Sequence, residues 1–217
     1  MMIGGDNKAT PRAALAECWS CKGPVSIKAM FCHTCGAIQP PRQSHHFSRL
    51  GFEPDFDIDL DLLEKRYLGF QRSVHPDRFA TKPAKERAMA EQQSVSLNQA
   101  FETLSDPLRR AAYLLELKGQ AAAVDRDQTI ADPVLLMEVL EAREALSEAE
   151  SIDAIEKLSV KAGADAIHLL SEISKAFAAD DLVAANRLTT RLKYLRKFLE
   201  ETRARRVALE ASDHESK

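Results

Sequence analysis

The sequence predicts an all-α protein in which a small cysteine module precedes a helical hairpin and a three-helix bundle. Three observations lead to this prediction. Apolar residues recur at three-four spacing in several long segments, which is the pattern of helices that pack along one side. All four cysteines fall between Cys18 and Cys35. Outside that short segment, no convincing alternation of apolar and polar residues indicates a strand.

The composition is that of an ordinary globular chain. Of the 217 residues, 45% are hydrophobic and 29% are charged, and the net charge of -3 gives no reason to expect nucleic-acid binding. No apolar run approaches the roughly 18 residues that a membrane-spanning helix needs, so no membrane segment is expected. Residues 1–17 contain neither a secretory segment nor a good transit peptide, which makes the cytoplasm the default location.

Changes in composition and periodicity divide the chain into seven segments. They are a mobile leader (1–17), a four-cysteine module (18–38), a Pro-rich linker (39–44), a helical module (45–119), a connector (120–131), a three-helix bundle (132–210) and a tail (211–217). Lys118-Gly119-Gln120 supplies the stop signal for the last helix of the helical module.

The cysteines form two Cys-x-x-Cys pairs, Cys18 with Cys21 and Cys32 with Cys35, separated by ten residues. Two such pairs can present four thiolates tetrahedrally, as in a structural zinc site. So short a segment has almost no core, and metal binding would supply about 10–16 kcal/mol toward folding it. Zinc is the preferred metal, and iron in a rubredoxin-like site is the alternative. A redox dithiol is less favoured, because two pairs are present rather than one.

Two apolar stripes flank the tripeptide His75-Pro76-Asp77. The first stripe comprises Leu60, Leu63, Tyr67, Phe70 and Val74, and the second comprises Ala88, Val95, Asn98, Phe101 and Leu104. Pro76 disfavours helical geometry at His75, so the first helix should end near Val74. The tripeptide is therefore predicted to form a stiff, polar, exposed corner between two helices that pack together. A short helix and loop should pack onto this pair through Phe47, Leu50, Phe52, Phe56 and Ile58.

The sequence segments around this corner resemble those of a J-domain, the module with which co-chaperones stimulate the ATPase of DnaK-type chaperones. The matching segments are Arg72-Ser73-Val74-His75-Pro76-Asp77-Arg78-Phe79, Leu97-Asn98-Gln99-Ala100-Phe101-Glu102-Thr103-Leu104 and Ser105-Asp106-Pro107. The resemblance implies that His75, Pro76 and Asp77 contact the chaperone. The basic residues Lys65, Arg66, Arg72 and Arg78 would form a positive face that steers it. His75 has no recognisable nucleophile or second acid nearby, so we expect no enzyme activity.

The C-terminal segment predicts three amphipathic helices joined by short turns. Asp132-Pro133 caps the first, which runs to about Ala149, Ser151 caps the second, and Ala179-Asp180-Asp181 ends the second. The first helix has a core stripe at Leu135, Val139, Ala142 and Leu146, and the last has one at Ala185, Leu188, Leu192, Leu195 and Leu199. The second has its stripe at Ile155, Leu158, Ala162, Leu169, Ile173 and Phe177. Leu136, Met137 and Leu140, like Tyr194 and Phe198, lie outside these stripes. Such a second apolar face either widens the core or marks a binding surface.

Three segments are similar to HscB, the J-type co-chaperone family of iron–sulfur cluster assembly. They are residues 135–144, Leu192-Lys193-Tyr194-Leu195 and residues 108–115. The resemblance implies that Leu136, Met137, Leu140 and Tyr194 form an apolar patch for the scaffold protein IscU, with Glu141 and Glu144 as its acidic rim. It implies a co-chaperone that delivers IscU to an HscA/DnaK-type chaperone and stimulates its ATPase.

Some questions stay open at this point. The location would be the bacterial cytoplasm, or the mitochondrial matrix if the source is eukaryotic, and a homodimer is possible. One alternative function is a general J-protein for unfolded clients. Another is a redox or metal-handling protein that works through its four cysteines.

Overall fold

The structure, a computed structural model, describes residues 15–42, 44–120 and 132–215, with side chains described as far as 211. It confirms the all-α class. The helices are α1 (His46–Arg49), α2 (Leu60–Val74), α3 (Ala84–Ser105), α4 (Pro107–Leu117), α5 (Pro133–Glu148), α6 (Ile152–Ala178) and α7 (Leu182–Glu215), with a 3₁₀ helix at Pro76–Phe79. Two short antiparallel strands pair with each other: β1 (Leu15–Glu17) lies just before the cysteine module and β2 (Pro24–Ser26) lies within it. No helix within the described ranges is long and apolar enough to span a bilayer.

The helix starts follow from the capping residues. Asp132 accepts hydrogen bonds from the backbone N–H groups of Val134 and Leu135, and Ser151 accepts one from Ala154, as the sequence predicts. Asp106 caps α4 in the same way. Gly119, with φ of 79°, follows the end of α4 in the left-handed conformation typical of a helix stop.

The chain folds into two compact units. Of the described residues, the first unit contains those up to 53 together with 59–102, and the second contains 54–58 together with those from 103 onwards. The division falls inside α3, so α4 groups with the bundle helices, and within this second unit it packs against α7. Asp106 at the start of α4 receives two hydrogen bonds from the Arg196 guanidinium of α7, at 2.8 and 2.9 Å.

In the first unit, α2 and α3 form the expected hairpin. Tyr67 stacks on Phe101 with ring centroids 4.3 Å apart, and its hydroxyl donates to Asn98. The predicted stripe of α3 is wrong in register, however, because Val95 is 49% exposed and Ala88 and Asn98 are exposed too. The buried positions of α3 are Met89, Ala90, Gln93, Leu97, Ala100 and Leu104. The sequence pattern is misleading here because Gln93 is polar but buried, and Val95 is apolar but exposed.

Three smaller expectations also need correction. Leu60 is exposed at the first turn of α2 rather than in the core. Residues 15–17, assigned to the mobile leader, form β1. Phe56 was expected to join the hairpin, but it groups with the second unit and stacks on Phe177 of α6, with ring centroids 5.5 Å apart. Phe47 and Leu50 are fully buried, as expected.

In the second unit, the predicted stripes of α5 and α6 are largely confirmed. Leu135 and Leu146 of α5 are buried, as are Ile155, Ala162, Leu169, Ile173 and Phe177 of α6. Phe198 is a correction, since it is buried in the core cluster with Leu146, Ile155 and Ala162 and is not part of a spare face. The last helix also continues past the predicted end at 210, to Glu215.

Candidate partner-binding surfaces and metal centre

The corner after α2 is built by its own residues. α2 ends at Val74, and His75 leaves the helix with φ of -55° and ψ of 130°, the extended geometry that a following proline favours. The Nδ1 atom of His75 accepts a hydrogen bond from the backbone N–H of Asp77 at 3.3 Å, and Pro76 opens the 3₁₀ helix. The apolar end of this short helix, Phe79, is buried and anchors it.

All three residues of the tripeptide are exposed, although their backbone is fixed on both sides. Asp77 Oδ2 lies 3.6 Å from His75 Nδ1. The corner thus presents an imidazole, a proline ring and a carboxylate in a defined arrangement. A preformed polar surface of this kind can bind a partner with little loss of conformational entropy.

The predicted basic residues do not all share one free face. Lys65, Arg72 and Arg78 are exposed on and after α2. The Arg66 guanidinium instead donates to the carbonyls of Leu50 and Gly51 and lies 4.5 Å from the centre of the Phe52 ring. Arg66 therefore fastens the loop after α1 to α2.

The spare apolar side chains of α5 are exposed in a row. Leu136 is 36% exposed, Met137 56% and Leu140 51%, while Leu135 and Leu146 face the core. Glu141 and Glu144 are exposed on the same side of the helix. An exposed cluster of large apolar side chains with charged neighbours is typical of a protein-binding surface.

Tyr194 lies on α7. It is half-buried and lines a groove of about 740 Å³ among α5, α6 and α7. Glu141 also lines the groove, whereas Leu136, Met137 and Leu140 do not. Two ion pairs, Arg191 with Glu138 and Arg143 with Glu201, join α5 to α7 beside the groove.

The four cysteines come together as their spacing predicts. Their Sγ atoms all lie within 4.8 Å of one another, with Cys18 to Cys35 at 3.8 Å and Cys21 to Cys32 at 3.7 Å. Four sulfurs placed tetrahedrally at about 2.3 Å from a zinc ion would be about 3.8 Å apart. The sulfur cluster therefore fits a four-thiolate metal. Cys18 and Cys32 are buried, and Cys21 and Cys35 are exposed.

The surrounding backbone favours thiolates at two of these positions. A hydrogen bond from the Cys21 backbone N–H, helped by Ser20 and the Gln39 side chain, lowers the pKa of Cys18 to about 6. Backbone N–H groups of Cys35 and Thr34 lower the pKa of Cys32. The Gly23 N–H has the same effect on Cys21, but the neighbouring cysteines and burial outweigh it and raise its pKa to about 11. A metal would accept the remaining thiols as thiolates.

Two residues beside this centre have no counterpart among the predicted site residues. Gln39, assigned to the linker, is fully buried, and its Nε2 donates to Cys18 Sγ at 3.3 Å. Gln93 of α3 donates to the Gln39 backbone carbonyl at 2.8 Å. The sequence signal for this pair is weak, because glutamine in a helical stripe is read as a surface residue and its partner lies 54 positions away.

Comparison with known proteins places the chain in a family. Residues 131–203 match the model of the HSCB C-terminal oligomerisation domain. The iron–sulfur cluster co-chaperone protein HscB of mouse is 31% identical over 209 residues, which span 94% of this chain and 89% of the mouse protein. The chain belongs to the HscB family of iron–sulfur cluster co-chaperones.

The relatives differ in how much of the chain they match. The co-chaperone protein HscB homolog of Aeromonas salmonicida is 39% identical, but the match spans 93% of that protein and only 72% of this chain. The mouse match, which leaves out 6% of this chain, is too long to omit the 18–35 segment. The match to the mouse protein therefore extends into the segment that holds the four cysteines of this chain.

Solved structures of co-chaperones have the same fold. The crystal structure of the human co-chaperone HscB matches with a TM-score of 0.83 and 32% identity, over 89% of this chain and all of that one. The Jac1 co-chaperone of Saccharomyces cerevisiae matches with a TM-score of 0.63 and 25% identity, over 75% of this chain and 96% of Jac1.

Proposed function

We propose that this HscB-family chain binds an IscU-type scaffold protein, delivers it to an HscA/DnaK-type chaperone and stimulates the ATPase of that chaperone. The observation that carries the proposal is the exposure of two unlike surfaces in separate units. One is the rigid polar corner at His75-Pro76-Asp77, and the other is the apolar row of α5 with its acidic neighbours.

The corner suits a contact that changes the chaperone rather than a reaction on this chain. Its imidazole accepts a hydrogen bond from the Asp77 backbone N–H, and the imidazole and the carboxylate are both exposed. An exposed polar surface that is already fixed in place suits contact with another protein. We therefore assign ATP hydrolysis to the chaperone, with Lys65, Arg72 and Arg78 attracting an acidic surface on it.

The row on α5 suits a folded partner. Leu136, Met137 and Leu140 follow one side of a single helix, so they offer a narrow apolar strip of fixed shape. We assign them, with Glu141, Glu144 and the half-buried Tyr194, to the scaffold. Holding the scaffold while the corner stimulates ATP hydrolysis would tighten the chaperone on it and promote cluster assembly and transfer.

Separate variants test this division of labour. His75→Gln should abolish stimulation of the chaperone ATPase and leave scaffold affinity unchanged, with His168→Gln on α6 as the matched control. The triple variant Leu136→Ala, Met137→Ala and Leu140→Ala should weaken scaffold binding at least tenfold and leave basal stimulation intact.

The control for the triple variant is Val160→Ala with Ile167→Ala, because these α6 side chains are 67% and 73% exposed. Equal loss of scaffold binding in control and triple variant would refute the assignment of α5. Loss of both activities in each folded variant would refute the separation of the two surfaces.

We assign zinc to the four cysteines, since a closed set of four thiolates gives zinc a structural site. Elemental analysis and absorbance of the purified protein test the metal. Colourless protein with one equivalent of zinc is expected, and a red, iron-containing, redox-active protein would favour a metal-handling function instead. We place the protein with its scaffold, in a bacterial cytoplasm or a mitochondrial matrix.

A further inference from the structure

The buried amide of Gln39 lies between the sulfur cluster and the helices of the first unit. Its Nε2 group donates to Cys18 Sγ at 3.3 Å and to the carbonyl oxygen of Ala37 at 2.9 Å, so both of its N–H bonds are used. Its Oε1 atom is buried without a hydrogen-bond partner among the described residues. The amide therefore uses both of its N–H donors, while its buried oxygen atom accepts no hydrogen bond.

This orientation fits a metal-bound sulfur. Turning the amide over would place Oε1 against the sulfur and the Ala37 carbonyl oxygen, and both of these are acceptors when Cys18 is a thiolate. In the observed orientation, the N–H group compensates charge on the thiolate and fixes the direction from which the sulfur can bind a metal.

A second glutamine continues the connection into the hairpin. Gln93 of α3 donates to the Gln39 carbonyl at 2.8 Å and accepts a hydrogen bond from the guanidinium of Arg49, the last residue of α1. Gln39 and Gln93 are both buried. Leaving a buried donor or acceptor unpaired costs about 1–3 kcal/mol, so each of these bonds helps to hold its neighbour in place.

Trp19 adds two further contacts at the same junction. Its indole N–H donates to the carbonyl of Ile38 at 2.6 Å, and the ammonium of Lys85 on α3 lies 4.3 Å from the centre of its ring. These contacts connect Trp19, which follows the ligand Cys18, to Ile38, which precedes Gln39. They also connect Trp19 to α3. The cysteine module is therefore joined to α3 by side-chain contacts and is not an independent module at the end of a linker.

We propose that Gln39 and Gln93 are positioning residues that couple metal binding at the four cysteines to the packing of α1 and α3. Metal fixes Cys18, Cys18 fixes the Gln39 amide, and the Gln39 carbonyl fixes Gln93 and Arg49. Loss of the metal would release this series of bonds and loosen the packing of α1 and α3. The inference rests on a metal being held by the cysteines and is independent of which proteins bind the two surfaces.

Cobalt(II) provides the first test, because thiolate-to-cobalt charge-transfer absorption reports on the ligand sulfurs directly. In the full-length chain, Gln39→Leu should weaken cobalt and zinc binding by about 10- to 100-fold in chelator competition and shift the charge-transfer band. Gln39→His, which keeps an N–H donor, should restore part of the affinity. The exposed neighbour Gln92 provides the control, and Gln92→Leu should change neither quantity.

Hydrogen exchange provides the second test and uses no activity assay. Chelating the metal from the wild-type chain should speed amide exchange at least tenfold in α1 and around Gln93 in α3, and leave α6 unchanged. In Gln93→Leu, which keeps the helix and the ligands, exchange in α1 should be fast with or without metal. Unchanged wild-type exchange on chelation, or a Gln39→Leu variant with wild-type affinity and spectrum, would overturn the proposal.

Discussion

Both units of the molecule have apolar cores, but they differ in the polar side-chain contacts that join their elements. In the first unit, polar side chains join the elements: Gln93 meets Gln39 and Arg49, Gln71 of α2 exchanges hydrogen bonds with Ser94, and Tyr67 donates to Asn98. In the second unit, the helices meet through stripes of leucine, isoleucine and phenylalanine, and the ion pairs lie outside that core.

This difference has consequences for how each unit responds to change. Hydrogen bonds are directional, so a polar junction has one good geometry and fails when a single partner is removed. An apolar core loses free energy in proportion to the volume removed and tolerates changes at its edges. We therefore expect the first unit to depend on the metal and on single polar atoms, and the second to depend on the size of its buried side chains.

Metal removal should have the largest effect, and only in the first unit. Chelation withdraws about 10–16 kcal/mol of binding free energy from a small cysteine module, so residues 15–39 should unfold. Trp19 is the only tryptophan in the chain and lies in that module, which makes its fluorescence a specific probe. Its emission should shift to the red on chelation. An unshifted emission would contradict metal-dependent folding.

Removal of a large buried side chain should have the next largest effect, in the second unit. Phe198→Ala should lower the free energy of unfolding by about 3–5 kcal/mol, because the side chain fills the core beside Leu146 and Ile155. The exposed Met137 provides the comparison, and Met137→Ala should change stability by less than about 0.5 kcal/mol. Urea denaturation measures the free energy of unfolding of both variants. Similar losses in the two variants would contradict the assignment of Phe198 to the core and Met137 to the surface.

Arg66 distinguishes structural from surface cations in the first unit. Arg66→Ala removes hydrogen bonds to the Leu50 and Gly51 carbonyls and the contact with the Phe52 ring, so it should cost about 1–2 kcal/mol. Lys65→Ala, at the adjacent exposed position, should cost less than about 0.5 kcal/mol. Thermal unfolding compares the two variants. Equal stability would return Arg66 to the set of free surface charges.

The pair of Asp106 and Arg196 should give the smallest effect, and one that depends on pH. Burial raises the pKa of Asp106, but hydrogen bonds from the Arg109 backbone and from Arg196 outweigh it, and the pKa is lowered. Its contribution is thus complete above the pKa of the unfolded chain, about 3.9, and is lost as the pH falls through the lower folded value. Asp106→Asn keeps the cap and should cost about 1 kcal/mol at pH 7, since both side chains are partly exposed.

This cost should begin to shrink as the pH falls below the unfolded pKa of about 3.9 and should shrink further toward the lower pKa of the folded Asp106. Urea denaturation at pH 7 and pH 3 measures it, and a cost that stays the same at both values would show that the charge of Asp106 does not contribute.

The sequence is sufficient to predict elements whose causes are local. The C-terminal end of α2 is determined by Pro76, and the starts of α5 and α6 are determined by the Asp132-Pro133 cap and by Ser151. Each of these residues acts within one turn of the helix, so these boundaries could be predicted from short segments. The cysteine cluster could be predicted too, because the spacing of two Cys-x-x-Cys pairs determines its geometry.

Contacts between distant polar residues could not be predicted. Nothing near Gln93 indicates that it is buried, because its partner is Gln39. Arg66 looks like its neighbour Lys65 until the loop at Leu50 and Gly51 is folded against it. Phe198 fits either a wide core stripe or a second face, and only the packing of α5, α6 and α7 decides between them. Periodicity gives the direction of a side chain, and the neighbouring elements determine whether it is covered.

The most direct test of the account asks whether both surfaces must be on one molecule. ATP hydrolysis by a DnaK-type chaperone is measured with an IscU-type scaffold and either the intact chain or an equimolar mixture of two variants. One variant is His75→Gln, and the other carries Leu136→Ala, Met137→Ala and Leu140→Ala. The measurement is made at a concentration at which light scattering shows monomers.

The intact chain is expected to raise turnover beyond the sum of its effect and the effect of the scaffold measured separately. The mixture, in which each molecule has only one surface, is expected to give no such excess. If the mixture accelerates hydrolysis as well as the intact chain does, delivery by a single molecule is contradicted.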